Sequence, residues 1–222
     1  MLRVTQMAGF GANTEPTKTP VVSFRGSLFS DTTNTRTYST TIDLGAEDPT
    51  RLIVVGAACL LATADPAEAP TGCTVGGTAA TLAVERKELF ATELPAQLWY
   101  VAKPTGGSVT VEIAKPGGLD MDRGAFGVWS VYYLKSTTPV ATANARASPC
   151  VLDLTVPSGA AVFAAGNFGT SAITWGYTGV TSDAESSAQL KCAFASASAV
   201  PAATRDIELS GGSIWGVSAC WR

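Results

Sequence analysis

The stretch Ala125-Phe-Gly-Val-Trp-Ser-Val-Tyr-Tyr-Leu134 decides the fold class. β-Branched and aromatic residues fill it, and neither its odd nor its even positions form a polar face. It reads as a strand covered on both sides. Ala96-Gln-Leu-Trp-Tyr-Val-Ala-Lys103 and Ser213-Ile-Trp-Gly-Val-Ser-Ala-Cys-Trp221 are built in the same way. Turn signals such as Pro104-Thr-Gly-Gly107 and Lys115-Pro-Gly-Gly118 separate them. Short aromatic strands spaced by Gly/Pro turns indicate an all-β sandwich.

Working outward, Ser108–Ala114 alternates cleanly, with Val109, Val111 and Ile113 on one face and Thr110 and Glu112 on the other. Thr37–Leu44 alternates likewise. Arg51–Ala62 is the longest apolar run, and its Ile53-Val-Val55 core favours a buried strand. Gly76-Gly77 sits where a tight hairpin turn is expected. Residues 136–149 are rich in Thr, Ala and Pro and read as a linker or crossing loop. The second part (150–222) repeats the pattern of the first (20–135). Gly127-Val-Trp-Ser-Val131 and Ile214-Trp-Gly-Val-Ser218 both close their parts, but the spacing before them differs. The favoured expectation is one jelly-roll-like sandwich of about ten strands, with two small packed sandwiches as the alternative. Residues 1–19 have little periodicity and read as an extended arm that a partner would order. Trp221 suggests a chain end pinned in the sheet.

The 222 residues suffice to bury a sizeable core. Charged residues are only 15%, against an ordinary ~25%. A surface so poor in charge fits coverage by other subunits. The net charge is −3 and no basic patch occurs, so nucleic acid is not an expected partner. No apolar run reaches the ~18 residues of a membrane span. The first residues lack a secretory pattern, which places assembly in a cytoplasm.

Histidine is absent, so a Ser–His–Asp triad is excluded. Paired carboxylates could serve a glycosidase. Asp120 with Asp122, Asp183 with Glu185, and Asp206 with Glu208 are such pairs, although solvated surface acids are the ordinary reading. Asp120-Met-Asp-Arg-Gly124 carries part of a calcium-loop spacing without the later ligands, and Arg123 stands beside it. No metal and no cofactor is expected. Trp175 and Tyr177, flanked by glycines, are the candidate exposed aromatic pair for a glycan, with core or subunit-interface packing as the plainer reading. Of five cysteines, Cys59 reads as a buried thiol. Cys73, Cys150, Cys192 and Cys220 are candidates for disulfides within or between chains.

The order of several segments resembles a β-rich family of virion structural proteins encoded by tailed bacteriophages and prophages. The segments are Thr37–Gly45, Arg51–Val55, Thr74–Thr81, Leu98–Ala102, Pro104–Gly106, Val109–Val111, Gly127–Val131, Thr155–Gly159, Thr174–Tyr177, Ala193–Ser196 and the strand ending at Trp221. The resemblance covers most of 36–222. It implies a non-enzymatic component of the virion, assembled in the host bacterial cytoplasm. Its expected partners are the capsid or tail scaffold and further copies of itself, a trimer being one form. A tail-fibre module that binds host-surface glycans is the alternative. The arm and the cysteines are not features of that family.

Overall fold

A computed structural model describes residues 18–33, 35–61, 70–87, 94–115, 120–169, 173–186 and 190–222. Among them all regular structure is strand. The first half contributes β1 (Val21–Ser30), β2 (Thr37–Asp43), β3 (Leu52–Leu61), β4 (Gly72–Val75), β5 (Thr78–Ala79), β6 (Thr81–Arg86), β7 (Ala96–Ala102), β8 (Ser108–Ala114) and β9 (Met121–Tyr132). The second contributes β10 (Ala141–Ala147), β11 (Cys150–Val156), β12 (Ala160–Gly169), β13 (Gly176–Thr178), β14 (Thr181–Ser186), β15 (Lys191–Val200), β16 (Ala203–Ser210) and β17 (Ile214–Trp221). No helix is long and apolar enough to cross a membrane among the described residues.

Among the described residues all strand pairs are antiparallel, in four sheets. In the first half β1-β9-β3-β7-β6 lies against β2-β8-β4-β5. In the second half β10-β17-β12-β15-β14 lies against β11-β16-β13. Among the described residues no sheet mixes strands of the two halves, so these layers follow the two-sandwich alternative and not a single sandwich of about ten strands. The strand order of the second half also repeats that of the first: β10 stands where β1 does, β17 where β9 does, β12 where β3 does.

Three cores separate the four layers. Period-two alternation explains how one strand serves two of them. In β3, Leu52, Val54, Ala58 and Leu60 point to the second half, whereas Ile53, Val55, Ala57, Cys59 and Leu61 point to the outer sheet of their own half. In β12, Ala161, Phe163 and Ala165 point to the first half, and Ala160, Val162 and Ala164 to the outer sheet. The continuous apolar runs of β3 and β9 are therefore the signature of a sheet buried on both faces. The inner sheets meet with β3 opposite β12, β1 opposite β14 and β15, and β6 opposite β10 and β17. Each strand thus faces the counterpart of its own mirror position, as in a two-fold dimer.

The 136–149 stretch is a crossing segment only up to residue 140; Ala141–Ala147 is the edge strand β10, paired along its length with β17. The Gly76-Gly77 turn forms as expected, with φ of 55° and 73°. Residues 116–118 of the Lys115-Pro-Gly-Gly118 turn and most of the arm, residues 1–17, lie outside the described residues.

Candidate functional site

The large aromatics converge on the seam between the two sandwiches. Trp129 packs edge-on to Phe24, Phe163 and Phe194, with ring centroids 5.8, 5.3 and 6.4 Å away. Phe163 continues to Trp221 at 5.6 Å, and Trp221 to Tyr100 at 5.7 Å. Edge-to-face contact matches the charge distribution of the rings. Polar ties cross the same seam. Trp129 Nε1 donates to Asp183 Oδ2 at 2.8 Å. The fully buried Asn167 on β12 donates through Nδ2 to the carbonyls of Cys59 (2.7 Å) and Pro95 (3.1 Å). Trp221 Nε1 donates to the Thr137 carbonyl, pinning the last strand.

The candidate carboxylates are dispersed. Asp120 accepts from Arg36 Nε at 3.0 Å, and Arg123 Nε lies 3.7 Å from Asp31. Asp122 lies on β9, and among the described residues no three groups of ligating type gather around a metal position. Asp183 and Glu185 do not share a face, because the β14–β15 register shifts between Ser182 and Ala184. This bulge turns Asp183 to the seam while Glu185 accepts from the Tyr177 hydroxyl at 3.0 Å. Burial pushes the Asp183 carboxyl above its ordinary range, opposed by hydrogen bonds from Ser196 and Trp129. Asp206 and Glu208 do share the outer face of their sheet, where Asp206 stands in register with Asp153. That face is open, and two like charges opposite each other repel.

Trp175 and Tyr177 are half-buried rather than exposed, and both pack against the core between the second half's sheets. Burial is also the chief cause that raises the Tyr177 phenol above its usual range. Within the chain Cys73, Cys150, Cys192 and Cys220 form no disulfide, and with Cys59 all five are free and buried. Burial pushes Cys59 and Cys73 up to about 12 and Cys150 and Cys220 up to about 11. Cys192 is shifted upward further still, from the same cause.

Two features escaped the sequence reading. Arg51, at the mouth of β3, is 1% exposed, yet its guanidinium meets only carbonyls. It donates to Lys103, Gly45, Ala46, Thr105 and Gly106 at 2.6–2.9 Å. Such a cage fastens two loops through their carbonyls, and nothing in the local sequence announces it. The second is an apolar groove of about 580 Å³ between β10, the end of β11 and the start of β16. Val140, Val156, Pro157, Ala202 and Ala203 line it, and Val140 is 48% exposed. Set against protein-family models, curated proteins and solved structures, the chain matches none.

Proposed function

We propose that the chain is a non-enzymatic structural component of a tailed-bacteriophage particle. In this reading it is a head-surface decoration, spike or fibre-base protein, assembled in the host cytoplasm and working by multivalent contacts. The observation that carries the reading is the ordered series of family-like segments from Thr37 to Trp221. They lie on strands and turns of both sandwiches, within residues 36–222. Strand order adds support. We read the series β1-β9-β3-β7, with β6 added at its edge, against β2-β8-β4-β5 as a jelly-roll order, which the second half repeats with a three-stranded outer sheet. We read the molecule as two jelly rolls in tandem. Viral capsid domains use this architecture, and so do lectins; the step from fold to role is an analogy.

The apolar groove beside β10 supplies a surface for contact between copies or with a scaffold. An edge strand bordered by exposed apolar residues is suited to strand addition or to burial under a neighbour. Many copies on one particle turn weak contacts into stable attachment through effective concentration. The glycan-binding alternative has less to draw on, since Trp175 and Tyr177 offer only part of each ring to solvent.

Light scattering of the purified protein, with and without reductant, tests the reading together with co-sedimentation on phage particles. A homo-oligomer whose mass ignores reductant, and which joins particles, is the expected outcome. Removing residues 1–19 should leave a folded protein that no longer joins. A monomer that never associates with particles would overturn the proposal, and undiminished incorporation after trimming would remove the arm from it.

A further inference from the structure

At one end of the seam a cleft of about 270 Å³ opens between the halves. Lys18, Lys135 and Arg222 line it together with Tyr133, Ser158 and Gly159. The three cations come from the end of the arm, the end of the first half and the residue after β17. All three are exposed, and no ion pair to a described carboxylate engages them. Asp48, the carboxylate that feels Lys18, is already committed. Its carboxyl is held below the usual range mainly by the Thr50 hydroxyl and amide, with Lys18 a smaller cause.

The wall of the cleft is held in place by these same groups. Thr50 donates its hydroxyl to Asp48 and accepts the Tyr133 amide at 3.0 Å. Tyr133 is kept at a φ of 63°, a left-handed conformation that bulky residues rarely adopt. The Lys18 ammonium lies 4.5 Å from its ring centroid. Arg222 is pinned as well, its main-chain oxygen accepting from the amides of Lys135 (2.7 Å) and Ser136 (2.9 Å). Backbone strain persists where surrounding contacts over-determine it, and such positions cluster at binding sites. Cations gathered around a concave surface repel one another and focus a positive potential into it.

We infer that this cleft binds a small ligand bearing a phosphate or carboxylate group, of about the size of one sugar unit. The volume lies just under the range of pockets for drug-sized ligands, which sets the upper size. Arg222 brings a planar fork suited to a two-oxygen anion, and Lys18 and Lys135 bring point charges. Ser158 adds a hydroxyl for a neighbouring ligand oxygen. The site is separate from the apolar groove and does not depend on the structural role proposed above.

Isothermal titration of the full chain with inorganic pyrophosphate and with glucuronate, at matched ionic strength and with glucose as the neutral control, tests the inference. Saturable one-to-one binding of either anion is expected, with none for glucose. The anion that binds tells a phosphate-bearing from a uronate-bearing source. Lys18→Gln combined with Lys135→Gln should weaken binding at least tenfold while leaving the unliganded melting temperature unchanged. Should that variant fold poorly, Ser158→Glu at an exposed turn should abolish binding by placing a carboxylate in the cleft. Failure of both anions to bind, or equal affinity in the folded variants, would overturn the site.

Discussion

At Asp183 a carboxylate is held in the seam by an indole and a hydroxyl, and burial outweighs both hydrogen bonds. Its folded pKa is raised, so the protonated form is the one folding favours. The stability it contributes is fully present below the ordinary carboxylate range and is lost as pH rises through the raised folded value. Asp183→Asn keeps an acceptor for Trp129 and removes the ionisation. The variant should therefore melt higher than the parent at pH 7, with the gap closing as the pH falls below the ordinary carboxylate range. Melting curves across that range check it, and a gap that widens in acid would contradict the assignment. The cysteines give a second expectation at this scale. With pKa values near 11, about one thiol in a thousand is ionised at pH 8, and burial denies even that fraction access. A disulfide-exchange reagent should label no cysteine in the native protein and all five after denaturation. Prompt labelling of the native chain would restore the cross-linking role that the sequence suggested.

Between elements, paired glycines decide how closely the layers approach. Gly56 of β3 and Gly127 of β9 are register partners, and together they leave a socket in the inner sheet. Phe194 of β15 fills it: a Cβ added at Gly127 would lie 2.9 Å from its ring, and one at Gly56 3.0 Å. The counterpart strands β12 and β17 carry a matching pair, Gly166 and Gly216, which opens to the outer sheet instead. Gly127→Ala should cost about 1–3 kcal/mol by overpacking. Phe194→Ala should cost about 3–5 kcal/mol. Combined, the two should cost less than their sum, because the smaller side chain leaves room for the added methyl. Urea denaturation of the two single variants and the double variant measures the coupling; strict additivity would mean that the socket is not the contact that matters. The same elements show what the sequence made legible. Ser108–Ala114 and the two-sided burial of Ala125–Tyr132 follow from period-two patterning. Strands β10 and β14 did not, since Ala-Thr-Ala-Asn-Ala-Arg-Ala and Thr-Ser-Asp-Ala-Glu-Ser have neither branched apolar residues nor an apolar face. They are edge strands, formed by pairing with buried neighbours rather than by their own propensity. Trp175 and Tyr177 follow the plainer of the two readings that the sequence allowed, since both rings pack against the second half's core. Tertiary contacts brought the Lys103, Thr105 and Gly106 carbonyls to Arg51 and assembled the cationic cleft, whose members lie far apart along the chain.

For the whole molecule, the seam sets the unit of folding. Each inner sheet depends on the other half to cover one of its faces, with Trp129, Phe163, Phe194 and Trp221 at the centre. A half expressed alone would expose that apolar face, well beyond what a soluble monomer normally leaves in water. The intact protein should therefore unfold in one cooperative transition, with probes in either half reporting the same midpoint. Residues 136–222 alone should not persist as a folded monomer. Because each inner sheet already packs against its topological counterpart in a two-fold manner, the exposed face is suited to meet a second copy of itself. The isolated half is expected to dimerise or to aggregate, and light scattering distinguishes these from a monomer. A Trp215→Glu change within that segment, which places a charge on the seam, should suppress the dimer. A stable, monomeric half with native-like near-ultraviolet dichroism would mean that each sandwich folds independently and that the seam is only a docking surface. Two separate transitions in the full chain would lead to the same conclusion by another route. Asn167 refines the test, since it donates to two carbonyls of the first half from within the second. Replacing it with Ala leaves the buried Cys59 carbonyl without this donor, at a cost of about 1–3 kcal/mol, while the Pro95 carbonyl keeps the Cys59 amide. That loss should lower the midpoint for probes in both halves equally if the seam binds them into one unit.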